Sequence, residues 1–280
     1  MTNVNVEAPL TARSSLKFDA ETDDVLVERA GGVATLTLNK PDGHNRLTPD
    51  ALAKLEKLAG EFAHDEETQA IVITGAGASD FSMGILNPTL RAAFSKDDII
   101  AIVRLANRAF DAIEALPQIV IASLNGVARA GAAELALACD IRLAAEHATM
   151  AYPEAAWGGF PGAGGPFRLA TTVGRGRALE LICTGREIGA HEMERLGLAQ
   201  GVHPAERLAG ATRALAERIA AAGPLATRGA KRIIGTRLEP GLSAARELSD
   251  ALRHALEWSA DVDEAIAAHK QGRRPRFTGR

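Results

Sequence analysis

At 280 residues with 46% apolar side chains, the chain holds enough material for a substantial buried core and reads as globular rather than disordered. A formal net charge of −3 and a pI near 6.2 supply no overall field for a nucleic-acid backbone or an acidic membrane surface. No run approaches the roughly 18 consecutive apolar residues of a membrane span.

Met1 to Asp24 lacks the apolar stretch of a secretory leader and mixes Glu7, Asp19, Asp23 and Asp24 with Arg13 and Lys17, so residues 1–24 read as a disordered or loosely docked extension. Val25 to Arg29 and Val33 to Leu38 are β-rich runs split by Ala30-Gly31-Gly32, the pattern of a hairpin. Thr48 then supplies an N-cap and Pro49 the first position of a helix running to Phe62, with Leu52, Leu55, Leu58 and Phe62 on one stripe. Ala70 to Thr74 is continuously apolar and ends at Gly75, as expected of a strand covered on both faces. Ser95 and Asp98 open a helix that Pro117 stops, and Ile119 to Leu124 is a second buried strand, ended by Asn125-Gly126. Gly131 to Cys139 reads as a helix, and Ile141 to Ala144 as a third strand.

Beyond Val173 the pattern is helical: Arg177 to Cys183, Ala190 to Leu196, Ala205 to Ala221, Pro224 to Gly235, and Ser243 to Lys270 with a break near Ser259. No repeat of 20 to 50 residues and no Pro/Ser-rich linker appears. The expected layout is an α/β core over residues 25–205 and a helical region over 206–280 that shares the core. The two cysteines, Cys139 and Cys183, lie in apolar surroundings and read as small buried hydrophobes in a reducing compartment.

Several chemistries lack their residues. The glycines from Gly158 to Gly165 have no Lys-Ser/Thr ending and carry Pro161, unlike a phosphate loop or dinucleotide fingerprint. The seven histidines form no HExxH, the cysteines no CxxC, and no GxSxG elbow places a serine nucleophile. What remains is Glu134, alone in the apolar run from Gly131 to Cys139, where a carboxylate is costly to bury. It could be neutralised by Arg129 or Arg142 as a structural ion pair. Alternatively, with a helix starting at Gly131, that residue's N–H lies at the positive end of the helix dipole, suited to a developing oxyanion. Glu154 follows Tyr152-Pro153 just before the glycine-rich turn; a lone glutamate in a loop is ordinarily surface. Two acids flanking one oxyanion pocket, however, are the parts needed for proton transfer beside a carbonyl.

At these residues the sequence resembles the enoyl-CoA hydratase/isomerase, or crotonase, superfamily, from about Val25 to Phe277. The resemblance is carried by Asn125-Gly126-x4-Gly131-x2-Glu134-Leu135-Ala136-x3-Asp140 and by Pro153-Glu154-x3-Gly158-x2-Pro161-Gly162-Ala163-Gly164-Gly165-x2-Arg168-Leu169. Supporting pieces are Lys40-Pro41-x3-Asn45, Gly75-x-Gly77-x3-Phe81-x2-Gly84 and Leu181-x2-Thr184-Gly185. The resemblance implies an α/β fold, a spiral of ββα units with a helical C-terminal region that builds a homotrimer or a dimer of trimers. It implies an acyl-CoA substrate, with coenzyme A part of that substrate, no separate cofactor or metal, no nucleic-acid or membrane partner, and a cytoplasmic location.

The implied reaction is syn addition of water to a trans-2-enoyl thioester. Glu134 and Glu154 would be the catalytic pair, the N–H groups of Met83 and Gly131 the oxyanion hole, and Gly162 a backbone donor to the water. Lys40, Gly43, His44 and Asn45 would border the CoA moiety, with Lys270 or Arg273 reaching its phosphates. Three departures stand out: Met83 replaces a small residue, Leu86 an aspartate, and Ala130 and Ala132 the glycines flanking the oxyanion donor. Trp157 adds bulk beside the pocket, unless it is simply core. On the same scaffold the alternatives are double-bond isomerisation, hydrolysis of a thioester or β-diketone, or a catalytically idle CoA-binding or scaffold relative.

Overall fold

The computed structural model describes residues 16–238 and 242–276. Of the expected N-terminal extension, residues 1–15 lie outside the described residues. Two antiparallel strands open the fold, β1 (Val25–Ala30) and β2 (Val33–Leu38), with Val25 opposite Leu38 and Ala30 opposite Val33. The alternation in β2 buries Ala34, Leu36 and Leu38. Helix α1 (Pro49–Phe62) begins as its sequence dictates: the Thr48 hydroxyl accepts from the Ala51 N–H, and Pro49 stands where no N–H is needed.

From here the chain repeats a unit in which one strand joins a first sheet and the next joins a second. β3 (Ala70–Gly75) is followed by β4 (Asp80–Ser82), the short α2 (Pro88–Arg91) and α3 (Lys96–Glu114). Helix α3 starts on a reciprocal capping box between Ser95 and Asp98 and buries Ile99, Ile102, Leu105, Phe110 and Ile113. The next units are β5 (Ile119–Leu124), β6 (Val127–Arg129) and α4 (Gly131–Ala138), then β7 (Ile141–Ala145), β8 (Thr149–Ala151) and α5 (Gly165–Val173). Helix α6 (Arg175–Thr184), β9 (Ile188–Gly189), α7 (Ala190–Arg195) and β10 (Gly201–His203) close the core. The first sheet has the order β1-β2-β3-β5-β7-β10 and the second β4-β6-β8-β9. Because β3, β5 and β7 sit side by side in one sheet and β4, β6 and β8 in the other, the chain advances as a spiral of ββα turns.

Two asparagines, Asn125 and the buried Asn45, fasten the turns together. Asn125 takes the Gly75 N–H on its Oδ1, and its Nδ2 donates to the carbonyls of Gly75 and Gly77. Asn45, 1% exposed, takes the Lys40 N–H and donates to the carbonyls of Ala76 and Asp80. Loop 75–80 is thereby pinned from two sides, and with it the backbone that leads to Met83 and Ile85.

The remaining elements are α8 (Ala205–Ala220), α9 (Pro224–Leu238), α10 (Leu242–Glu257) and α11 (Ala260–Lys270). The break expected near Ser259 is real: the Ser259 hydroxyl accepts from the Val262 N–H and starts a new helix. Helix α8 lies on β3, β5 and β7, and α11 lies over α2. Lys231 of α9 reaches Asp140 at 2.7 Å and the Gln118 carbonyl at 2.9 Å. Cys139 is buried as expected, but Cys183 is exposed. Its helix, α6, buries only Ala178 and Leu181, so the apolar neighbours in sequence belong to a one-sided stripe that leaves Cys183 outside. Among the described residues, no helix is long and apolar enough to cross a membrane.

Candidate active site

Helix α4 is buried along its whole length, and Glu134 is its one charged side chain, 2% exposed. Neither arginine suggested as a neutralising partner bonds it. Arg129 pairs with Glu187 at 3.2 Å, while Arg142 donates to the carbonyls of Ala136, Cys139 and Leu198, closing the C-terminal end of α4. Instead, Glu134 Oε1 accepts from the backbone N–H groups of Ala163 and Gly165, both at 2.8 Å. Gly165 is the first residue of α5, so the carboxylate lies at that helix's positive end. The turn is held in place by Arg168, which donates to the Ala163 carbonyl at 3.0 Å and to Asp111 and Glu114 on α3.

Glu154 sits in the 3-10 turn Pro153–Trp157 that follows β8. The residue as a whole is half-buried, yet its Oε2 is shut off from solvent and has no hydrogen-bond partner among the described residues. Burial raises the pKa of both glutamates, and for Glu154 the charge of Glu134 raises it further. The two backbone donors oppose the rise at Glu134. The pair is therefore asymmetric: Glu134 is the better host for the negative charge and Glu154 for the proton.

Gly131 opens α4 and its N–H has no partner among the described residues. Met83 does not supply the second free amide. Its N–H donates to the His44 carbonyl at 3.0 Å while Leu47 N–H donates to Gly84 at 3.1 Å, so the pairing of these two segments uses it up. Nor is the Met83 side chain part of the pocket wall. Two residues on, the N–H of Ile85 is free among the described residues, and Ile85 lines the pocket with Gly131. The two loops meet so closely that a Cβ on Gly131 would fall 2.6 Å from the Ile85 side chain. Gly162 also lines the pocket; its carbonyl accepts from Asn107 at 2.9 Å, and its N–H is unpartnered among the described residues.

The residues expected beside CoA divide. Asn45 is a correction: its amide is buried and fully spent on backbone groups, which makes it a fastener of the loop rather than a ligand contact. Gly43 and His44 form an exposed turn against Met83, with His44 Nδ1 3.0 Å from Asp80 Oδ2. Lys40 Nζ lies 3.3 Å from Asp24. Arg273 is taken up by Glu264. Trp157 and Leu86 do line the pocket. Sequence reasoning missed Arg91 and Arg253, which enter the same pocket from α2 and α10. On amphipathic helices an arginine reads as a solvated residue, and no sequence signal marks these two as buried.

Ala130 adopts φ 54° and ψ −127°, a backbone region that L side chains rarely occupy. It is held there because its N–H donates to Ala151 and its carbonyl accepts from Ala133 and Glu134. Ala130→Gly is expected to stabilise the protein by about 1 kcal/mol, the relief of strain exceeding the entropy cost of glycine. A thermal melt would show this as a rise of about 2–4 °C; an unchanged or lower Tm would mean that the conformation is unstrained.

A ββα spiral whose pocket gathers Ile85, Gly131, Glu134 and Glu154 has the architecture of an α/β enzyme of the crotonase type. Residues 28–280 match the family described as enoyl-CoA hydratase/isomerase, and the chain belongs to that family, within the crotonase superfamily. It is 35% identical to the putative enoyl-CoA hydratase/isomerase YngF of Bacillus subtilis, over 88% of this chain and 95% of that one. It is 33% identical to the short-chain-enoyl-CoA hydratase of Clostridium acetobutylicum, over 80% and 86%. Among solved structures, carnitinyl-CoA hydratase from Mycobacterium avium superposes with a TM-score of 0.81 at 29% identity, over 92% of this chain and 100% of that one. Enoyl-CoA hydratase from Bacillus anthracis gives 0.75 at 33%, over 92% and 100%.

Proposed function

We propose that the protein hydrates a trans-2-enoyl-CoA thioester, using Glu134 and Glu154 as base and acid and the amides of Ile85 and Gly131 as the oxyanion hole. The observation that carries this reading is the asymmetry of the acids: one is solvated by two backbone N–H groups, and the other has an oxygen shut off from solvent with no partner among the described residues. In the resting state the pair shares one proton, held by Glu154. Water resting between the acids, with Gly162 N–H as a further donor, loses a proton to Glu134 as its oxygen bonds to the β-carbon. The double-bond electrons move toward the thioester carbonyl, whose oxygen gains charge between the two amides. Each such donor contributes roughly 3 kcal/mol to lowering the barrier. Glu154 then gives its proton to the α-carbon on the same face, so the sum is the addition of one water. Transfer of the proton from Glu134 to Glu154 resets the pair.

The relatives described as enoyl-CoA or short-chain-enoyl-CoA hydratases support this reading over isomerisation, as does the presence of both acids. No metal or separate cofactor enters the scheme. The CoA moiety passes the exposed Gly43–His44 turn beside Lys40. The exposed Leu225, Ile233 and Ile234 on or near α9 favour assembly as a homotrimer or a dimer of trimers, which light scattering would measure. The test of function is product analysis with crotonyl-CoA and with a 3-enoyl-CoA. The expected product is the 3-hydroxyacyl thioester from the former. Conversion of the 3-enoyl ester to the 2-enoyl ester without hydration would overturn the assignment in favour of an isomerase.

A further inference from the structure

Arg253 descends from α10 into the active-site pocket and is 6% exposed. Its stem lies against Gly162, where an added Cβ would come within 3.1 Å of Cδ and 3.2 Å of Nε. Its Nη1 lies 3.5 Å from the corresponding point on Gly159. Only Nη2 finds a protein acceptor, Glu257 Oε2 at 3.3 Å; Nε and Nη1 are buried with no partner among the described residues. Glu257 is at the same time bonded by Arg91 from α2, whose Nε is likewise buried and unpartnered. Two guanidinium groups thus share one carboxylate, with Asp263 acting on Arg91 from α11, and the donors of Arg253 that face the pocket stay unmet.

Neutralising the catalytic pair does not account for this arrangement. Glu134 and Glu154 are close enough to act electrostatically on Arg253, but neither forms a hydrogen bond with it. A buried guanidinium with unmet donors is destabilising, and a ligand acceptor removes that cost. Val103, Ala265 and Ile266 add apolar wall to the same pocket. The space is small, about 60 Å³, room for about four to six water-sized groups.

We infer that the acyl chain of the substrate is short and ends in a carboxylate, which accepts hydrogen bonds from Arg253 in the pocket wall. The inference rests on the reading of this pocket as an acyl-thioester site. It also predicts rejection of a chain ending in a quaternary ammonium group, which would meet like charge.

The test compares wild-type kcat/KM for glutaconyl-CoA, a 2-enoyl ester with a terminal carboxylate, and for the neutral ester in which two methyl groups replace the carboxylate oxygens. The carboxylate ester is expected to be preferred by about 10- to 100-fold, mostly through KM, the worth of a charge-assisted hydrogen bond. Arg253→Met should abolish the preference between the two esters, read as the ratio of their kcat/KM values within the variant, and Arg253→Lys should restore part of it. Equal or reversed preference in the wild type overturns the inference and leaves the hydratase reading intact. Calorimetry with glutaryl-CoA against its neutral isostere decides the same point without turnover. If neither unsaturated ester is hydrated but glutaryl-CoA binds at least tenfold tighter, the hydratase reading fails and the acyl terminus stands. If the two saturated ligands bind alike, the carboxylate subsite is refuted.

Discussion

Glu154→Gln is expected to lower kcat for hydration of crotonyl-CoA by about 10²–10⁴ and, in the same protein, to raise Tm at alkaline pH. The two effects have one cause. Burial and the neighbouring Glu134 hold the pKa of Glu154 above its unfolded value of about 4.3, so the ionised form weakens the fold. For a carboxylate raised in this way the penalty is absent below the unfolded pKa and grows as pH rises through the folded one. Glutamine carries no such charge. The gain of the variant over wild type should therefore be small at pH 4 and larger at pH 9. About 1 kcal/mol, or 2–4 °C, is a reasonable size for a half-buried residue. The wild-type activity profile should be bell-shaped, with both limbs above the ordinary glutamate range and belonging to the pair rather than to either acid. Melting curves and initial rates over this pH range check the argument. A variant that retains kcat refutes the acid role, and one whose Tm offset is flat with pH refutes the electrostatic account.

The larger elements were legible because their signals are strong. The leucine stripe of α1, the capping box of α3 and the apolar runs of β3 and β5 all correspond to observed elements. The three-residue strands β4, β6 and β8 were not legible, since three residues show no period, and they carry the backbone from which the site is built. Glu134 was readable because a single carboxylate in an alanine–leucine helix is anomalous. Which amide completes the oxyanion hole was not, because it depends on register: pairing of Met83 with His44 moves the free N–H to Ile85. Asn45 and Arg253 mislead in opposite directions. The asparagine belongs to a family motif yet is spent on backbone carbonyls of the neighbouring loop 75–80, while the arginine belongs to no motif and is turned into the pocket by the fold of α10. Only tertiary packing separates the two cases.

Register also gives the oxyanion hole its sharpest test. Gly84, at φ 80°, lies between the two donors, and a methyl group there would fall 2.4 Å from the Arg129 carbonyl and 3.1 Å from Gly131 N. Gly84→Ala must push the two loops apart or rotate the Ile85 peptide. Loss of one donor costs about 10²–10³ in kcat, and because the donors act on charge that develops in the transition state, KM should move little. Gly84→Ala leaves Glu134 its bonds to Ala163 and Gly165, so the limbs of the pH profile should stay in place. Ile85→Ala is the matched control. It removes the side chain that presses on Gly131 but keeps the N–H, so kcat for a short acyl group should survive while longer chains gain access. Retention of kcat by Gly84→Ala, or its loss by Ile85→Ala, would place the oxyanion elsewhere. The combination expected here separates a backbone donor from a side-chain effect, since only the former is indifferent to what Ile85 carries and sensitive to where its peptide points.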